Sequence, residues 1–147
     1  MLAYLDDMIS NPYELETAVF ENNRHLLTFA VLRNKFSIVD RIVSAYPKSI
    51  NLQDDSGLTA LFYSMIYKKS ISFMSLLKHG ADPNIKDKQG ITAMKRAALN
   101  QQQDYFLSMV LHGGKALEID SFGVPVLAYF NDRRLIHSIL KQSKELA

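Results

Sequence analysis

The chain of 147 residues contains no cysteine. Disulfides, thiolate-held zinc or iron–sulfur centres and a cysteine nucleophile are therefore excluded, and several enzyme classes leave with them. Six glycines and four prolines are too few for a collagen-like chain, and at 48% hydrophobic and 22% charged the sequence is not a disordered one either. Neither sign of charge dominates, since seventeen Lys and Arg stand against fifteen Asp and Glu for a formal +2. Phosphate-dominated nucleic-acid binding usually needs a stronger basic excess, so nucleic acid is not favoured as a partner. No apolar run approaches the roughly 18 residues that suggest a spanning helix. The opening Met1-Leu-Ala-Tyr-Leu-Asp-Asp-Met8 has two acids where a secretory signal needs a basic segment and then an apolar one. The expected compartment is the cytoplasm, with secretion by a route that reads no such signal left open. At this length one folding unit is expected, burying roughly 68–70% of its unfolded surface.

What the sequence does have is a period. Asp54, Asp87 and Asp120 are spaced by thirty-three residues, and so are Gly57, Gly90 and Gly123. Thr59 and Thr92, His79 and His112, and Gly80 and Gly113 keep the same interval. Self-similarity at 20–50 residues is the mark of a repeat architecture. The three glycines after the Asp series sit in short polar stretches where a tight turn needs positive φ. Thr59 and Thr92 precede helical segments as N-caps, and Gly80 and Gly113 follow Leu-rich helices where a left-handed C-cap belongs. Repeated in register, these signals mark where helices start and stop.

The unit reads Asp-x-x-Gly-x-Thr, a first helix, a polar break, a second apolar helix ending in a Leu pair, and His79-Gly-Ala-Asp-Pro-Asn84. It resembles the ankyrin repeat, most strongly over Leu76–Asn84 and Asp87–Thr92. The resemblance implies an all-α helical-repeat solenoid with short β-hairpin fingers, each unit stacking its helix pair on the next. The expected division is an N-terminal helical cap over 1–23, repeats over 24–53, 54–86 and 87–119, and a shortened capping repeat over 120–147. In the cap, Asn11-Pro-Tyr-Glu14 offers a helix start, and Leu15, Val19 and Phe20 share one helical face. Ser44–Asn51 carries one residue more than the period allows, the last repeat has lost three from its first helix, and Asn34 falls at an inter-helix turn, where Asn tolerates a left-handed conformation. The chain departs from the family where Thr-Pro-Leu-His opens the first helix: it has Thr59-Ala-Leu-Phe62, Thr92-Ala-Met-Lys95 and Val124-Pro-Val-Leu127, so the His that braces neighbouring repeats is missing.

Little in the sequence points to chemistry. His79 and His112 occupy equivalent loop slots about ten ångströms apart, too far for shared zinc ligation with bonds of about 2.0–2.1 Å. Neither Gly-x-x-x-x-Gly-Lys-Ser/Thr nor Gly-x-Gly-x-x-Gly nor Gly-x-Ser-x-Gly occurs. No catalytic residue, cofactor or metal is expected, and the chain reads as a non-enzyme. Lys68, Lys69, Lys86, Lys88, Lys95 and Arg96 recur at turn and helix-start slots, either as a solvated face or as an attraction for an acidic partner. Gln101-Gln-Gln103 reads as an exposed turn.

The resemblance implies a concave groove lined by first helices and edged by fingers. On the groove it places Arg33, Tyr63, Ile66, Tyr67, Arg96 and Asn100. On the fingers it places Asp55, Ser56, Leu58, Lys88, Gln89, Ile91 and Phe122, the last needing a partner or a neighbouring cap to cover it. Tyr and Arg are enriched where interfaces concentrate binding energy. The implied function is a protein-binding module, monomeric on its own, gripping one other protein through groove and fingers. The alternative is a toxin-neutralising or host-directed effector protein of the kind that small microbial ankyrin-like proteins resemble, also acting by binding.

Overall fold

The computed structural model describes residues 10–11, 19–20 and 24–145. Its first paired elements are two short strands, β1 (Val19–Phe20) and β2 (Arg24–His25), which run antiparallel with Val19 opposite His25 and Phe20 opposite Arg24. The expected helical cap over 1–23 is thus corrected at Val19–Phe20, where β-branched and aromatic residues stand beside Asn22 and Asn23, poor helix formers. The rest of that expectation, including the helix start at Asn11–Glu14, lies outside the described residues apart from Ser10 and Asn11.

From β2 the chain passes into a ladder of helix pairs. They are α1 (Leu26–Leu32) with α2 (Phe36–Ala45), α3 (Ala60–Ile66) with α4 (Ser70–Lys78), and α5 (Ala93–Leu99) with α6 (Gln103–Leu111). A fourth unit pairs a single 3-10 turn, Val126–Tyr129, with α7 (Arg133–Glu145). The three residues missing from the last first helix leave room for only that turn. The extra residue in Ser44–Asn51 is taken up by another 3-10 turn, Pro47–Asn51, which buries Ser49 and Ile50. First helices stack on first helices, α1 on α3 on α5, and α2 stacks on α4.

The core is one continuous cluster of the apolar faces. Phe62, Phe73, Phe106, Met65, Leu76, Leu77, Met94 and Met109 are fully buried in it. Small residues at Ala60, Ala93, Ala97 and Ala98 let the seven-residue first helices approach closely. The capping unit is fastened by Phe130, whose ring meets Phe106 edge-on at 4.7 Å between centroids.

Turns follow the same period. Asn34, Lys68 and Gln101, at the break inside each pair, are all left-handed with φ of 54–56°. Only Asn34 stood out in the sequence, because Lys and Gln rarely adopt that conformation. Thr92 caps α5 by accepting the Lys95 N–H at 3.1 Å, while Thr59 holds the same slot without a side-chain bond. Gly80, with φ of 87°, ends α4 as expected, its N–H and that of Ala81 closing on Leu77 and Leu76 carbonyls.

Neighbouring repeats are tied by amide side chains. Asn51 accepts the Asp82 N–H, and thirty-three residues on Asn84 accepts the Lys115 N–H and donates to the Gly113 carbonyl, each at 2.9 Å. Gln101 donates to the Tyr129 carbonyl and accepts from the Asn131 N–H. Gln103 donates to Asp132, the residue that caps α7. The Gln triplet is therefore more than an exposed turn, since it docks the capping unit.

Candidate functional site

Each finger is built on its first Asp. Asp54 Oδ1 accepts the N–H groups of Ser56 and Leu58, Asp87 Oδ1 those of Gln89 and Ile91, and Asp120 Oδ1 those of Phe122 and Val124, all at 2.9–3.0 Å. Backbone bonds close the same turns, the Asp N–H donating to the carbonyl four residues on and the Gly N–H to the Asp carbonyl. Asp, unlike most residues, satisfies successive turn N–H groups with one side chain. The fingers are thus tight turns, with one antiparallel bridge each at Lys86–Thr92 and Ile119–Pro125, and not two-stranded hairpins.

The second carboxylate oxygen faces the first helix, and its partner lies nine residues on in every case. Tyr63 donates its hydroxyl to Asp54, the Arg96 guanidinium donates to Asp87 at 3.1 Å, and Tyr129 donates to Asp120. Lys95 adds a second donor to Asp120 at 2.8 Å and lies over the rings of Phe122 and Tyr129 at 5.4 and 5.3 Å. The Lys95 ammonium first, and the Tyr129 hydroxyl next, hold the Asp120 carboxyl far below the usual carboxylate range. Asp120 in turn raises the Lys95 and Tyr129 pKa values. Asp132 is lowered too, by the N–H groups of Leu135 and Arg134 and then by Gln103.

The sign follows from linkage. Carboxyls depressed in the fold contribute stability that is complete above their unfolded pKa of about 3.9 and is lost as pH falls below it. Lys95 and Tyr129, raised in the fold, contribute stability that is lost as pH rises beyond about 10. Thermal melts of the wild type should therefore drop in midpoint between about pH 5 and pH 2. The Asp120→Asn variant, less stable at pH 7, should show a shallower drop. Parallel pH profiles for the two proteins would remove Asp120 as a source of the acid lability.

Four of the thirteen sequence-expected residues are taken up inside the molecule. Tyr63 serves Asp54 and stacks on Tyr67 with centroids 6.4 Å apart. Arg96 serves Asp87 and covers the Phe62 ring at 5.7 Å. Leu58 and Ile91 are half-buried at the finger bases. The basic cluster foreseen at Lys88, Lys95 and Arg96 is largely neutralised for the same reason, because the last two are paired with finger carboxylates.

The others lie on the surface. Arg33, over the Phe29 ring at 5.1 Å, Tyr67 and Asn100 cap the C-terminal ends of the first helices, and Ile66 is the last residue of α3. Asp55, Ser56, Lys88, Gln89 and Phe122 stand exposed on the fingers. Phe122 is 81% exposed and Tyr67 56%, and Ile119, beside the third finger, is 62% exposed. Sequence reading gave Ile119 and Tyr129 no role and did not pair Lys95 with Asp120. The nine-residue offset from Asp54 to Tyr63, Asp87 to Arg96 and Asp120 to Tyr129 was the signal that could have found the finger bases.

His79 and His112 do not share a site: His79 lies 3.4 Å from Asp40, and the His112 ring reaches the Ser108 carbonyl of its own helix. Among the described residues no group of three His, Asp or Glu is placed to hold a metal, and no helix is long and apolar enough to cross a membrane.

Stacked helix pairs with Asp-based fingers define a helical-repeat protein of the ankyrin class. Residues 27–120 match the model of the ankyrin repeats in three copies, and the chain belongs to that family. Comparison with curated proteins finds none that matches. Ankyrin repeats are in general protein-binding modules.

Proposed function

We propose that this protein binds one partner protein across the groove and finger tips and performs no chemistry of its own. Arg33, Ile66, Tyr67 and Asn100 form the groove side of the contact, and Asp55, Ser56, Lys88, Gln89 and Phe122 the tip side. Tyr63, Leu58, Ile91 and Arg96 hold those tips from beneath. The observation that carries the reading is the Phe122 ring, kept 81% in water on a finger tip. Large aromatic side chains exposed on rigid turns lose little entropy when a partner covers them, which is why they anchor interfaces.

Co-purification from the native source, with mass spectrometry, supplies the partner. Calorimetry with that partner then tests the surface: Tyr67→Ala and Phe122→Ala should each weaken binding by about 1–4 kcal/mol with the melting midpoint nearly unchanged. Arg96→Ala is expected to lower stability instead, because Asp87 loses its cation. Full-strength binding by both exposed-aromatic variants would sink the proposal.

A further inference from the structure

The first two fingers close on one another, and the second and third do not. At the first junction the Lys88 N–H donates to the Ser56 carbonyl at 3.1 Å. The Gln53 amide spans the same junction, donating to the Gly57 and Lys86 carbonyls at 2.8 and 2.9 Å. The contact is so close that a Cβ on Gly57 would lie 2.7 Å from the Lys88 nitrogen. One period on, the counterparts are Ser121 N–H, the Gln89 carbonyl, Lys86 and Gly90. No hydrogen bond joins Ser121 to Gln89 among the described residues, and a Cβ on Gly90 would meet nothing within 4 Å. Lys86, standing where Gln53 stood, turns instead to Glu118 at 3.4 Å.

The result is a cleft of about 380 Å³ between the second and third fingers, lined by Gly90, Ile91, Lys95, Ile119, Phe122 and their neighbours. That lies within the roughly 300–1,000 Å³ range of ligand-sized sites. Two of the most exposed apolar side chains of the protein, Ile119 and Phe122, form one wall. The charges at the cleft are already spent on one another, Lys86 on Glu118 and Lys95 on Asp120, so the cleft presents no unmatched charge of either sign.

We propose that this cleft accepts an extended, uncharged apolar segment of a partner protein, inserted between the second and third fingers. The inference rests on the protein-binding reading above and specifies its contact. Such a segment supplies what the first junction already has. Its backbone donor meets the Gln89 carbonyl, its acceptor meets the Ser121 N–H, and an apolar side chain covers Ile119 and Phe122. Strand-like addition gains affinity from main-chain bonds and selectivity from pockets for alternate side chains, and paired wall charges select against a charged insert.

The probe is a random twelve-residue peptide library selected on the immobilised full chain, followed by amide NMR of the labelled chain with a synthesised winner. Selected sequences should be apolar and uncharged at their centre, and perturbations should gather at Gln89, Gly90, Ile91, Ile119, Ser121 and Phe122. The double variant Ile119→Ser with Phe122→Ser should bind at least about tenfold more weakly, while Ile71→Ser, an exposed change on the second helix α4, should bind as the wild type does. Winners rich in charge, or perturbations gathered at Ile66, Tyr67 and Asn100, overturn the cleft and leave protein binding in place. Selection that yields nothing above the double variant also overturns it. The broader reading falls separately, if Tyr67→Ala and Phe122→Ala both bind the native partner at full strength.

Discussion

Gly57→Ala should destabilise the protein by about 2–5 kcal/mol, whereas Gly90→Ala should cost about 1 kcal/mol, although the two glycines hold the same slot of successive repeats. Both have positive φ, 77° and 75°, so both substitutions carry the penalty of a side chain in a left-handed turn. They differ in what the new methyl meets. At Gly57 it would come within 2.7–3.0 Å of the Lys88 nitrogen and the Asp87 backbone, atoms that cannot swing aside as a side chain can. Relief requires parting the first two fingers, which would break the bond from Lys88 to Ser56 and strain the bridge made by Gln53. At Gly90 the methyl enters the open cleft. Thermal unfolding followed by circular dichroism measures both, at about 2–4 °C per kcal/mol for a chain of this size. Equal midpoints would mean that the first two fingers do not touch in solution.

Leu77→Ala should lower stability by roughly 2–5 kcal/mol, at the upper part of what a single truncation does. Leu77 is 2% exposed and lies beside Leu76 on the buried face of α4, inside the cluster shared by all the repeats. Close-packed helices on either side prevent the structure from collapsing into the gap, so the lost transfer energy and the cavity add. Partner binding should fall only in proportion to the unfolded fraction. Urea titration of Leu77→Ala against Tyr67→Ala separates the two roles, since only the former should move the midpoint. A shift of comparable size in Tyr67→Ala would place that ring in the packing between repeats and not on the binding surface.

The helical ladder was legible in the sequence because helix starts, stops and turns recur with a fixed interval, and each weak signal was confirmed by its copies. Even the defects could be read, as the surplus residue near Pro47 and the deficit before Val126 show, because a length change stands out against a period. The finger bases were legible in principle and were missed. Tyr63 and Arg96 were assigned to the groove because family position says which face of a helix a residue occupies. It does not say whether a carboxylate nine residues earlier reaches that face first. The strand pair at Val19 and Arg24 lies before the periodic region, where no copy exists to correct a false helical pattern. The open cleft was beyond sequence reading, for it depends on how closely one turn seats on the next, and Gly57 and Gly90 differ there although they hold the same slot. Only the exchange of Gln53 for Lys86 hints at it.

The amide ties between repeats have an orientation. Asn51, Gln53, Asn84 and Gln101 each reach forward with a side chain, and what they grasp in the following unit is main chain, at Asp82, Lys86, Gly113, Lys115, Tyr129 and Asn131. At these four residues the reaching unit must carry a particular side chain and the grasped unit only a correctly shaped backbone, whereas Gln103 and Lys95 require the carboxylates of Asp132 and Asp120 in the unit that follows. At the backbone-grasping ties a substitution in the reaching unit removes the bond, while a substitution in the grasped unit that keeps its backbone shape leaves the bond in place.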